Sequence, residues 1–166
     1  EPGQTVSGTD FATAPGGKGA NQALAARRAG ADVCMIGAVG SDTNGSAALA
    51  LLENADIDLS AVIKSNDPNV STGVALILVA EQSGENQIVV IPGANATVGR
   101  SCTQSMTLSD KDIVGLQMEV PDAANHAAID AAHAVAAVSI LNIAPYGAGA
   151  PELACKADFT IANETE

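Results

Sequence analysis

The chain has 166 residues, 47% of them hydrophobic and 16% charged, so it reads as a folded domain and not as a disordered segment. Its 19 acidic residues against 7 basic ones give a formal net charge of −12, which makes nucleic acid and anionic membrane surfaces poor partners. No apolar run approaches the ~18 residues that a membrane-spanning helix needs. Aromatic residues make up only 2% of the chain, so the core is expected to be built from Ala, Val, Leu and Ile.

Residues 1–13 are polar, and the alternation Thr5-Val6-Ser7-Gly8 predicts an edge strand that leads into a glycine turn. The turn is Ala14-Pro15-Gly16-Gly17-Lys18-Gly19-Ala20-Asn21-Gln22. An alanine-rich helix is predicted from about Gly19 to Ala29, with Gly30 in the left-handed position that ends it. Val33-Cys34-Met35-Ile36 reads as a short buried strand, and Gly37-Ala38-Val39-Gly40-Ser41-Asp42 as a glycine-dense loop whose Asp42 caps a second helix near 45–54. Residues 57–63 form a weaker strand candidate. Thr72–Val79 and Gln87–Ile91 are the arms of a hairpin turning at Gln82-Ser83-Gly84-Glu85-Asn86.

The last third alternates between strand and helix. Strands are predicted at 112–118, 138–142 and 157–161, with a helix from Pro121 to about Ala137 between the first two. Such units imply a parallel sheet with right-handed crossovers, whose ligands gather at the carboxyl ends of the strands. Glu119, Asn142 and Asn163 all fall at predicted strand ends. Cys34, Cys102 and Cys155 are far apart and odd in number, which favours a reducing, cytoplasmic compartment and buried thiols. His126 and His133 lie a heptad apart without further ligands nearby, so they are expected to be ordinary helix residues and not zinc ligands. The chain does not start with Met and stops just after a predicted strand, as a piece of a longer protein would.

The glycine turn is the main candidate site. Glycines admit close backbone approach, the helix start offers free N–H groups, Lys18 adds a charge, and Asn21 offers a donor and an acceptor. This suits a small ligand rich in oxygen, though the glycines could equally serve helix–sheet packing. Two common phosphate motifs do not fit. A P-loop needs Ser or Thr after Gly-Lys, where Gly19 stands. A dinucleotide fingerprint starting at Gly17 needs Gly or Ala at 22, where Gln22 stands.

Gly16-Gly17-Lys18-Gly19-Ala20-Asn21-Gln22 resembles the sugar-binding signature of the ribokinase-like (PfkB) family of sugar and nucleoside kinases. The resemblance extends through Pro2-Gly3-Gln4-Thr5, Val39-Gly40-Ser41-Asp42-Thr43-Asn44-Gly45, Ser71-Thr72-Gly73-Val74-Ala75, Gly93-Ala94-Asn95-Ala96, Gln117-Met118-Glu119 and Asn163-Glu164-Thr165-Glu166. It implies a three-layer α/β/α fold around a mostly parallel sheet, with a small β-lid from segments near 3–14 and 70–92. Residues 1–166 would then be part of one kinase domain.

The resemblance also implies roles. Gly16, Gly17, Lys18, Asn21 and Glu119 match positions that hold sugar hydroxyls. Asn163 and Glu166 match a motif that supports ATP phosphate and Mg2+, Glu166 indirectly; read alone, Asn and Glu three apart at a helix start favour a simple cap. The implied activity is ATP-dependent phosphorylation of ribose at its 5-hydroxyl, with a monovalent cation as a further expectation and a homodimer formed through the lid. The family's first strand, bearing a sugar-gripping Asp, and its catalytic Gly-Ala-Gly-Asp motif are expected to lie outside these residues. Gly147-Ala148-Gly149 is followed by Ala150 and is no substitute. No residue here is expected to be the catalytic base, and the polypeptide alone is expected to be inactive, with apolar sheet edges exposed. Kinases of another sugar or a nucleoside, and a non-catalytic sugar-binding or dimerisation module, are the alternatives.

Overall fold

The computed structural model describes residues 3, 5, 7–103 and 107–165. In chain order the elements are α1 (Lys18–Arg28), β1 (Gly37–Val39), α2 (Thr43–Glu53), β2 (Val62–Lys64), β3 (Val74–Val79), β4 (Asn86–Ile91), a 3-10 turn over Gly93–Thr97, α3 (Arg100–Thr103), β5 (Ile113–Gln117), α4 (Asp122–Ala134), β6 (Val138–Asn142), α5 (Ala150–Lys156) and β7 (Phe159–Ile161). β1 and β2 pair in parallel, with Gly37 opposite Val62. β5, β6 and β7 form a second parallel sheet in that order. β3 and β4 form an antiparallel hairpin of their own, with Ile77 opposite Ile88.

The alternation expected of the last third is present, and it sets the layers. On β5, Val114 and Leu116 are buried against α4 and α5 in a core with Ile129, Ala132, Leu141 and Leu153, the last four fully inaccessible to solvent. Gln117, of opposite parity, meets the first turn of α1. Helices α4 and α5 thus cover one face of the sheet, and α1 meets the end of β5 on the other, where Ile113 and Phe159 stay exposed. A second cluster of Ala38, Ala94, Val98, Cys102 and Ala124 joins β1 to the start of α4, and a third joins α1 to α2 through Leu24, Leu52 and Ile57. β6 and β7 are pinned by a polar exchange: the Ser139 hydroxyl donates to Asp158 Oδ2 at 2.7 Å and accepts from the Asp158 N–H at 3.0 Å. His126 and His133 lie against carboxylates, 3.6 Å from Glu152 and 3.4 Å from Asp158.

Several expectations need correction. The strand expected at 33–36 starts instead at Gly37, with only a single bridge from Cys34 to Asp58 before it. The residues read as a loop form the strand, with Ala38 packed against Ala94 of the 3-10 turn and Val98 after it, where small size outweighs β-propensity. No strand forms at residues 5, 7 and 8 of the expected entry strand; Gln4 and Val6 lie outside the described residues. Cys102 is buried as expected, but Cys34 and Cys155 are exposed. Residues 146–156 gave no pattern, yet α5 forms there, with a proline in its first turn as helix starts allow.

The hairpin stands apart energetically. Every residue of β3 and β4 is exposed, whereas Leu141 in β6 is fully buried. Leu141→Ala is therefore expected to lower stability by about 2–5 kcal/mol, measured as a fall in the urea midpoint. A change below about 0.5 kcal/mol, the range of ordinary surface substitutions, would contradict this placement of the core.

Candidate functional site

The site begins at Gly17, whose φ of 98° and ψ of 134° only glycine adopts readily; its carbonyl starts α1 by accepting the Asn21 N–H at 2.9 Å. No side chain at the helix start caps α1. The cap comes from 101 residues away, where Glu119 Oε2 accepts the Lys18 N–H at 2.7 Å. A carboxylate there is favoured twice, as a charged acceptor and as a negative group at the positive end of the helix. This corrects the expectation of a helix start fully open to a ligand, because the Lys18 N–H is already taken.

Glu119 is held by the end of β5. Its own N–H donates to Gln117 Oε1. Asn125, 2% exposed on α4, donates to the Gln117 carbonyl at 2.9 Å and approaches Met118 Sδ at 3.8 Å. Gln22, one turn into α1, donates to the Leu116 carbonyl at 3.3 Å and so covers part of a strand edge that no other strand pairs among the described residues. At Gly19 a Cβ would lie 3.3 Å from Met35 Cε and 3.4 Å from Gln117 Nε2, so the first turn of α1 rests closely on these two side chains. The turn and the end of β5 are thus one assembly.

Gly16, Gly17, Lys18, Asn21 and Glu119 are brought together by this assembly. Gly16, Gly17 and Asn21 are exposed, and Lys18 and Glu119 partly buried. Among the described residues neither the Lys18 ammonium nor the Asn21 amide has a hydrogen-bond partner, so both remain available to a ligand. Asn163 is elsewhere, two residues beyond β7, the strand farthest from β5 in its sheet. Its Oδ1 accepts from the Thr165 N–H at 2.9 Å and the Thr165 hydroxyl at 2.8 Å, a local Asx-type turn. Glu166 lies outside the described residues.

Sequence reading passed over Gln22, Gln117 and Asn125, whose partners are main-chain atoms of β5 or of Glu119. The available signal was their polarity within otherwise apolar runs. It also passed over what Asp42 does beyond capping. Asp42 Oδ1 accepts the Gly45 N–H of α2 at 2.7 Å, as expected, but also the Thr72 hydroxyl at 2.6 Å, while Oδ2 accepts the Thr72 N–H at 2.8 Å. The Thr72 hydroxyl in turn accepts the Gly40 N–H at 2.9 Å.

Residues 1–166 match the family model described as pfkB family carbohydrate kinase. The chain is 37% identical to a ribokinase of Bacillus subtilis over 166 residues, covering 99% of this chain and 55% of that protein. Among solved structures, a ribokinase of Thermotoga maritima superposes with a TM-score of 0.83 at 29% identity, covering 100% of this chain and 53% of the other. The Arabidopsis thaliana ribokinase complexed with ribose and ATP gives a TM-score of 0.79 at 26% identity, over 99% and 54% of the two chains. The chain therefore spans about half the length of the relatives it matches.

Hydrogen bonds from the Thr72 hydroxyl, the Thr72 N–H and the Gly45 N–H hold the Asp42 carboxyl below its ordinary value of 3.8. A carboxylate lowered on folding stabilises above the unfolded value and loses that contribution as pH falls through the lower folded one. The Gly45 and Thr72 amides should therefore stay protected from exchange down to about pH 4 and lose protection only below it, as followed by NMR. Loss of protection already near pH ~6 would contradict the three-bond arrangement.

Proposed function

Because this chain belongs to the pfkB family of carbohydrate kinases, we propose that the protein containing it transfers the γ-phosphate of ATP to the 5-hydroxyl of ribose. The observation that carries this reading is the Glu119–Lys18 contact, which sets a carboxylate beside an exposed glycine turn with two polar side chains, Lys18 and Asn21, that have no partner among the described residues. In this reading the Gly16 and Gly17 backbone lets the sugar approach closely. Lys18 and Asn21 donate to its hydroxyls. Glu119 keeps Oε2 on the helix and accepts a hydroxyl at Oε1, since a carboxylate has about four acceptor sites. The names of the relatives and the ribose and ATP of the Arabidopsis complex support the substrate pair.

ATP binds on the side of Asn163 and Glu166 in this proposal, at the carboxyl end of the same parallel sheet. Asn163 fits such a role only in part, because its Oδ1 already serves Thr165. Mg2+, when bound, neutralises charge on the transferring phosphoryl group. A monovalent cation remains a further proposal, as does a cytoplasmic site of action, where ATP is available. The 166 residues hold no Gly-Ala-Gly-Asp segment, so the base for the attacking hydroxyl is assigned outside them.

Full-length protein is expected to phosphorylate ribose in preference to fructose or adenosine, in a coupled ATP-turnover assay. Glu119→Ala should lower kcat/KM for ribose about ten- to hundredfold, the worth of a hydrogen bond to a charged group. The 166-residue polypeptide alone should show no ribose-dependent turnover. Equal use of the three substrates, an unaffected Glu119 variant or an active isolated polypeptide would each overturn the corresponding part of the assignment.

The hairpin is assigned the lid, with its second apolar face against another copy of the protein. Leu76 and Val89 lie on one face, Ile77 and Ile88 on the other, all between 53% and 57% exposed. One such face can close over a sugar, and the other needs separate cover. Ile88→Lys is expected to shift full-length protein from dimer to monomer in sedimentation velocity. A dimer that survives this charge within the patch would exclude the hairpin as its interface.

A further inference from the structure

The hairpin is a loose blade on a stiff root. Its strands are exposed throughout, yet Thr72, two residues before β3, is only 6% exposed. Asp42 grips Thr72 by both its hydroxyl and its N–H, and Gly40 adds a third bond to the same hydroxyl. The other leg is tied at the same height, where the Ala94 N–H donates to the Ser71 carbonyl at 2.8 Å.

Main chain touches main chain here. A Cβ at Gly40 would lie 2.6 Å from Thr72 N, and one at Gly73 would lie 2.6 Å from the Pro92 carbonyl oxygen. Gly93 turns the returning leg with φ +52°. Three backbone segments are therefore in contact around one threonine, with no room for sideways play.

The root also connects to the glycine turn. Asp42 starts α2, and α2 packs on α1 through Leu52, which shares a buried cluster with Ala23 and Leu24. Asp42 thus stands between the hairpin and the helix that carries Lys18 and Asn21. A neutral cap such as Ser would satisfy α2 alone. The second oxygen, Oδ2, caps nothing in the helix; it accepts the Thr72 N–H and so ties the hairpin's first leg to the start of α2.

We propose that Asp42 and Thr72 are positioning residues for the sugar: their clamp fixes the angle at which the hairpin leaves the sheet, and with it the closure of the lid over the glycine turn. This rests on the sugar-kinase reading above. Neither residue touches the reacting atoms; they act through the lid and so affect sugar affinity more than the nucleotide side.

The test uses full-length protein with Thr72→Val, which keeps the shape and removes the hydroxyl, and Thr72→Ser, which keeps it. Steady-state kinetics are run with whichever of ribose, fructose or adenosine the wild type phosphorylates, so a wrong sugar assignment is seen separately in the wild type. Thr72→Val is expected to raise KM for that acceptor about tenfold, with KM for ATP unchanged, and Thr72→Ser to stay within about twofold of wild type. Hydrogen exchange should show the Gly40 amide losing protection in Thr72→Val and keeping it in Thr72→Ser. Unchanged acceptor KM, an equal rise in both KM values, or a Thr72→Ser variant as impaired as Thr72→Val would overturn the proposal. If the wild type phosphorylates none of the three, the sugar-kinase reading falls and the clamp loses its catalytic meaning, whatever the exchange data show.

Discussion

A single carboxylate–amide contact fixes the candidate site. Glu119 at the end of β5 accepts the first helical N–H of α1, and every other site feature follows from that distance of 2.7 Å. Gly17 must turn with positive φ so that the helix starts facing the strand end. Gly19 lets the first turn rest closely on the Met35 and Gln117 side chains. Gln117 and Asn125 must be polar so that the chain leaving β5 presents the carboxylate at the right place. The acidic residue is thus partly structural, and its helix-facing oxygen is committed before any ligand arrives.

The rest of the molecule divides by stiffness. Around the end of β5 and the start of β3, side chains and glycines bring main chains into contact. The hairpin beyond keeps its large apolar residues in water, a costly arrangement unless another surface covers them. An exposed hairpin is therefore set on a closely packed root.

Strand and helix alternation in the last third was legible because Ile113–Gln117 and Val138–Asn142 carry strong apolar patterns. Gly37-Ala38-Val39 was misread because its composition reports a packing constraint, the small Ala38 against Ala94 and Val98, and not a preference for extended chain. The site residues were visible as a cluster of unusual types, and the family resemblance gave them a ligand. What stayed hidden was pairing at long range. Nothing local to Lys18 says that its N–H is capped by residue 119, and nothing local to Thr72 says that a helix cap 30 residues earlier holds it. Asp42 was read as a cap because Asp before a helix is a local signal; its second function needs a partner distant in sequence.

The largest core cluster draws its residues only from 108–157, a contiguous strand–helix–strand–helix stretch. Its contacts close short loops, so their entropic cost is low and they can form early in folding. The other two clusters mix residues 20–59 with each other or with residues near 94–124. The Lys18–Glu119 bond closes a loop of 101 residues and can form only once both halves are in place. Formation can therefore run against chain order: the half bearing Glu119 can mature first as a platform, with the glycine turn docked on it late. A defect that slows docking would leave a well-ordered C-terminal half with no site.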